Sequence, residues 1–320
     1  MNFRDDKPVD TLDLGGGTHA EFGRRSAMRR LGFGAAAVGA MTLGGAALTS
    51  KSARAKNQGA GPPDADIFNF ALNLEYLEAQ FYLYAATGQG LPAGMLTGTG
   101  NQGAVSGGAA VPFKSKAIAE YAQRIAVDEM AHVNFIRAVL GSSAVAQPTI
   151  DVSIGPDSSF SKLAVAAGLI VQGQTFNPYA DDVSFLLGAS IFEDVGVTAY
   201  AGAARYIGNP DYLEAAAGIL AVEAYHSGAI RSLLADIGAG AAFDAISNLR
   251  GILSAQVGGA GTEAEQPILL TQNQSYNFLP TDINSLAFRR STSQVLNIVY
   301  GGGAASGYLF FPNKLNGNIN

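Results

Sequence analysis

Asp128-Glu129-Met130-Ala131-His132 and Glu223-Ala224-Tyr225-His226 hold the only two histidines beyond His19, and each histidine stands three residues after a glutamate. With so few glutamates in the chain, composition alone would place one three residues before both histidines roughly once in a thousand cases. Both pairs lie in sequence patterned for helices. Over residues 114–140, Ile118, Ala122, Ile125, Glu129, His132, Ile136 and Val139 follow one stripe that ends before Gly141. After Asn209-Pro210, an N-cap and a first-turn proline, Leu213, Ala216, Leu220, Glu223, Ser227, Ile230 and Leu234 form a second stripe with His226 beside it. Residues three apart share a helix face, so each Glu/His pair can address one centre.

Two further helices are expected. Residues 64–86 repeat apolar and small residues at Phe68, Leu72, Ala79 and Tyr82, with Gly88 as a stop; residues 181–207 carry Leu186, Ala189, Glu193, Val197, Tyr200 and Ala204 on one stripe before Gly208. Glu75 precedes Tyr82 by seven residues and Glu193 precedes Tyr200 by seven, and each glutamate is followed by an E-x-x-H helix. The chain therefore reads as a repeated helix pair. Glu75 and Glu129 are 54 residues apart, Glu193 and Glu223 only 30, and the glycine-rich stretch 88–112 absorbs the difference. That stretch has no period and reads as a long loop.

A carboxylate on a core stripe costs several kcal/mol as an unpaired buried anion, so four of them need cations. Glu75, Glu129, Glu193 and Glu223 with His132 and His226 suit two divalent ions, and mixed oxygen and nitrogen donors favour iron or manganese, with zinc less suited. This is the pattern of di-iron and di-manganese four-helix bundles, one glutamate from each of two helices and E-x-x-H from the other two. Glu78 shares a face with Glu75; the repeat with Glu193 selects Glu75, leaving Glu78 as a second-layer group or alternate ligand. Tyr82 and Tyr200 read either as core aromatics or as hydrogen-bond partners of the carboxylates. Asp128 and Asp194 neighbour ligands and point elsewhere, Asp128 toward an imidazole of a neighbouring helix.

The remaining sequence bounds the setting. A 48% hydrophobic, 14% charged chain can bury a large core. The absence of cysteine excludes disulfides, thiolate zinc and iron–sulfur centres, so an electron donor, where one is needed, must be external. Arg24-Arg25-Ser26-Ala27-Met28-Arg29, an apolar run from Leu31 to Leu48 and Ala53-Arg54-Ala55 are expected to form a twin-arginine export signal over residues 1–55, delivering a protein without a retained membrane segment to the periplasm. Without that leader 12 basic residues face 21 acidic ones, a net charge of −9, which disfavours nucleic acid as a partner. An apolar patch at residues 163–171 is expected to be a short helix, residues 242–255 a fifth helix, and residues 295–300 a final apolar segment. Residues 238–320 thus form an extension that packs on the 64–237 bundle.

With these residues in place, the sequence resembles the ferritin-like superfamily, and more narrowly the bacterial and plant ferritin-like proteins that include desiccation-related members. The resemblance covers residues 64–237 and rests on Asn73-Leu74-Glu75-Tyr76-Leu77-Glu78-Ala79-Gln80-Phe81-Tyr82, on Asp128-Glu129-Met130-Ala131-His132, and on the tail Gln294-Val295-Leu296-Asn297-Ile298-Val299-Tyr300-Gly301. It implies an all-α ferritin-like four-helix bundle whose two iron or manganese ions act on dioxygen or peroxide. Glu129 and Glu223 would bridge or chelate the ions, His132 and His226 would bind one ion each, and Glu75 and Glu193 would be terminal and more mobile. The contrasting expectation is a non-catalytic stress-protective protein. The long loop and the C-terminal extension argue against a mineral storage shell, and the sequence leaves open a homodimer.

Overall fold

The computed structural model describes residues 61–258, 266–270 and 275–320; the expected export signal lies outside them. Four long helices form the core: α1 (Asp64–Thr87), α2 (Lys116–Leu140), α4 (Asp182–Ala203) and α5 (Pro210–Asp236). Helix α1 packs against α2, α4 against α5, and α1 against α4. Three shorter helices are α3 (Ser159–Ala166), α6 (Gly240–Gln256) and α7 (Thr292–Val299). The all-α four-helix reading is borne out.

Local sequence sets the helix ends. Ser115 caps α2 by accepting from the Ile118 amide, Asp181 caps α4 through Ser184, and Asn209 caps α5 through Asp211 with Pro210 in the first turn. Gly88 closes α1 in the left-handed conformation, at φ 75°. Helix α7 opens with a capping box between Ser291 and Gln294.

Helices α1 and α4 are buried nearly all round rather than on one stripe, because the connections and the C-terminal residues cover their outer faces. Phe310 packs edge-on against Phe160 of α3 and Phe192 of α4. Asn316 donates to α1 and to the following loops, its backbone N–H to Asn73 Oδ1 at 3.0 Å and its side-chain amide to the Ala146 carbonyl at 2.9 Å. Among the described residues one helical span, Asp182–Tyr206, is long and apolar enough to cross a membrane, but 83% of its most apolar stretch is buried in the bundle, as a core helix would be.

Three details depart from the sequence reading. Residues 88–112 contain a strand, β1 (Val105–Gly107), paired in parallel with β2 (Ile150–Val152). Their glycines allow two backbones to touch: a Cβ at Gly103 would lie 2.1 Å from the Thr149 nitrogen, and Gly107 adopts φ +85° with its Cβ position 2.2 Å from Ser153 Cα. The short helix expected at 163–171 starts earlier, at Ser159, where Ser158 provides the cap. Leu213, expected on the inner stripe of α5, is 39% exposed; Ile219 is buried instead. The remaining strands, β3 (Leu269–Leu270) and β4 (Ser275–Tyr276), form a small antiparallel pair.

Candidate metal centre

Each of the four long helices delivers one glutamate to the same point in the core. Glu75, Glu129, Glu193 and Glu223 are at most 1% exposed, and His132 and His226 are buried beside them. Two groups emerge. Glu75, Glu129, Glu223 and His132 offer donor atoms all within 4.8 Å of one another, as do Glu129, Glu193 and His226. Glu129 belongs to both: Oε2 is 3.4 Å from His132 Nδ1, and Oε1 is 3.1 Å from His226 Nδ1. His132 Nδ1 is also 3.2 Å from Glu75 Oε2 and 3.6 Å from Glu223 Oε1, while His226 Nδ1 is 3.3 Å from Glu193 Oε2. All six residues expected from the sequence are thus brought together.

The chemistry of these contacts points to cations. Both oxygens of Glu193 and of Glu223, Glu129 Oε1 and His226 Nδ1 are buried without a hydrogen bond among the described residues. His226 Nδ1 and Glu129 Oε1 stand 3.1 Å apart and still lack hydrogen-bond geometry. Donor lone pairs that crowd together without bonding one another fit a shared third atom between them. The residues present therefore fit a buried metal site.

Electrostatics leads to the same place. Burial, followed by the charges of Glu129 and other carboxylates, pushes Glu78 and Glu223 well above the usual carboxylate range. Burial pushes Glu129 up to about 7 despite the opposing imidazoles. For Glu75 burial acts upward too, but His132 and the Tyr200 hydroxyl bring it below its ordinary value. Burial would lower both histidines, yet Glu75 and Glu129 raise His132, and Glu193 and Glu129 raise His226, each to about 11. Without metal the cluster must hold protons; divalent ions would displace them.

The second layer is partly as read from sequence. Tyr200 donates its hydroxyl hydrogen to Glu75, from the helix that carries Glu193. Tyr82, from the helix that carries Glu75, lies against Glu193 without completing a hydrogen bond. Asp128 stands 3.3 Å from His226 Nε2, on a neighbouring helix. Asp194 turns away and receives Arg231 and Arg250, each at 2.8 Å, tying α4 to α5 and α6. Glu78 is a buried fifth carboxylate at the cluster.

Gly196 was not singled out from the sequence. A Cβ there would stand 2.2 Å from Glu223 Oε2 and 3.5 Å from Glu78 Oε1, so this glycine is the space those carboxylates occupy. The available signal was a glycine in mid-helix, three residues after Glu193, where alanine is intrinsically better by about 1 kcal/mol.

Comparison with known proteins places this geometry. The chain is 31% identical to the desiccation-related protein PCC13-62 of Craterostigma plantagineum, over 73% of this chain and 76% of that one. It is 29% identical to the ferritin-like catalase Nec2 of Nesocodon mauritianus, over 82% and 86% of the respective chains. No solved structure matches it significantly. The ferritin-like domain family matches residues 63–236, the span that holds all four glutamate-bearing helices and both histidines, and the chain belongs to that family.

Proposed function

We propose that this is an exported dinuclear metal protein, carrying iron or manganese, that removes peroxide. The observation that carries the reading is the pair of histidine-centred donor groups sharing Glu129 in the buried core. The name of the ferritin-like catalase relative favours peroxide over ferrous iron as the substrate. Disproportionation also suits a chain without cysteine: one peroxide is oxidised to dioxygen, a second is reduced to two waters, and no external electron donor is needed. Ferrous oxidation is the related activity the same site would support.

Glu129 and Glu223 would be the shared ligands, His132 and His226 would bind one ion each, and Glu75 and Glu193 would be terminal. When bound, the metal pair supplies the two-electron redox chemistry and the Lewis acidity. The chain's own contribution is positional. Tyr200 fixes the orientation of Glu75. Buried Glu78, whose carboxyl is pushed well above the usual range by burial and the neighbouring carboxylates, stands beside the site. The apolar residues around the cluster exclude bulk water. Export by the twin-arginine route to the periplasm belongs to the same proposal, supported by the arginine pair and A-x-A site ahead of the family-matched region.

The test is to purify the protein, reconstitute it with iron or manganese, count the metal by elemental analysis and follow oxygen release from peroxide. Two metals per chain and oxygen release, both lost in Glu129→Ala and His226→Ala, are expected. Near-zero iron and manganese in the reconstituted wild type would overturn the proposal. The desiccation-related relative supports a second reading, a non-catalytic protective protein whose metal only holds the bundle together. Metal that raises the melting temperature without any peroxide turnover would favour that reading.

A further inference from the structure

The internal repeat fails at the positions that stand behind the two histidines. The offset of 94 residues from Glu129 to Glu223 carries Ile125 onto Ile219, His132 onto His226, Ile136 onto Ile230 and Leu140 onto Leu234. The same offset carries Arg124 onto Gly218 and Asp128 onto Val222. One helix has a charged pair where the other has two residues without a polar side chain.

That pair touches the site. Asp128 Oδ2 lies 3.3 Å from His226 Nε2, and Arg124, one turn earlier on α2, holds Asp128 with Nε at 2.9 Å from Oδ2 and Nη2 at 2.7 Å from Oδ1. An imidazole that donates Nε2–H to a carboxylate keeps the Nδ1 lone pair free, and Nδ1 is the atom that faces Glu129 and Glu193. The contact also fixes the rotation of the ring. His132 presents the same Nδ1 atom to Glu75, Glu129 and Glu223, but Val222, the residue that the repeat sets in the place of Asp128 and half-buried like it, carries no acceptor.

The inner donors differ in number, four in the His132 group and three in the His226 group. Glu129 sends one oxygen to each histidine, and Glu223 has Oε1 near His132 and Oε2 against Gly196 on the Glu193 helix. Where the dinuclear reading makes both shared, each position keeps one histidine and one glutamate of its own. What then separates them stands behind these ligands, Tyr200 on Glu75 at one position and Asp128 on His226 at the other.

We infer that the two metal positions are unequal by construction: the position framed by Glu129, Glu193 and His226 retains its ion, and the one framed by Glu75, Glu129, Glu223 and His132 exchanges it. Asp128 is the positioning residue that sets the difference, and Arg124 anchors it. This inference rests on the dinuclear reading above. A carboxylate behind a ligating imidazole is worth about 10–100-fold in metal affinity, which is the separation expected between the two binding steps.

Titration of the metal-free full chain with Mn(II), followed by calorimetry and by anomalous diffraction at one equivalent, tests it. The wild type should bind in two steps, with the first ion at the His226 position. Asp128→Val should weaken that step by about 10–100-fold and leave the other unchanged. Val222→Asp combined with Gly218→Arg should tighten the weaker step, a gain that a folding defect cannot imitate. Equal occupancy of both positions at one equivalent, or an unchanged filling order in Asp128→Val, would overturn the inference while leaving the dinuclear reading intact. Failure of the wild type to bind Mn(II) or Fe(II) at either position would overturn both.

Discussion

Gly196 and Glu223 share one space: the position a Cβ would take at residue 196 is 2.2 Å from Glu223 Oε2. Gly196→Ala must therefore push aside a carboxylate that the metal reading makes a shared ligand. Two effects of opposite sign follow. In the metal-free protein the mid-helix alanine gains about 1 kcal/mol of helix propensity, offsetting part of the crowding. In the metal-loaded protein the displaced Glu223 should cost about tenfold or more in metal affinity, by analogy with disturbed outer-shell partners. Metal stoichiometry and metal-free melting temperature, measured side by side, check this; full metal retention would show that Glu223 is not held where this geometry puts it.

The two tyrosines differ although the sequence repeat makes them equivalent. Tyr200 donates to Glu75, and Tyr82 lies against Glu193 with no hydrogen bond completed. Tyr200→Phe should thus cost about 1.5–3 kcal/mol in the metal-free protein, the scale of a hydrogen bond to a charged group. Tyr82→Phe removes a buried hydroxyl without a partner and should be close to neutral or stabilising. Chemical denaturation of both variants decides it, and equal losses would refute the asymmetry.

What the sequence made legible was whatever a period or a spacing records. The stripe through Glu129, that through Glu223 apart from Leu213, the cap at Asn209, and the seven-residue step from Glu75 and Glu193 to a tyrosine survive in the structure. Contacts between distant backbones leave no such record. The glycine-rich stretch 88–112 reads as a long loop, yet its Gly103 and Gly107 let β1 lie against β2. Gly196 was hidden for the same reason, since a missing side chain shows only when its neighbour is known. Asp194 gave no hint of its partners, because Arg231 and Arg250 come from 37 and 56 residues away.

A buried glutamate that is stabilised only by metal should destabilise the bundle without it. Glu223 is fully buried, its oxygens have no hydrogen bond among the described residues, and burial with four neighbouring carboxylates raises its pKa. Glu223→Gln removes the charge at nearly constant volume. The metal-free variant should be more stable by about 1–4 kcal/mol at neutral pH, while metal binding falls. Melting curves with and without manganese test this crossing of effects. A metal-free melting temperature that drops on substitution would mean Glu223 is already paired in the folded chain.

The pH dependence of the metal-free protein has a definite sign. Glu129 is raised from 4.5 to about 7, so its protonated form favours folding: the stability it contributes is fully present below about 4.5 and is lost as pH rises through about 7. Glu78 and Glu223, raised well above the same ordinary value, act in the same direction. His132 and His226, raised from 6.5 to about 11, contribute stability that is complete below 6.5 and lost only as pH climbs through about 11. Glu75, lowered by His132 and Tyr200, contributes stability above 4.5 that persists through neutrality and so does not cancel the loss. The metal-free melting temperature should therefore fall between pH 5 and pH 8. Metal binding must expel the protons these groups hold, so affinity should rise over the same interval, with proton release visible as a buffer-dependent calorimetric heat. Binding that releases no protons, with a melting temperature flat across this range, would mean that the carboxylates are already ionised and paired before any metal arrives.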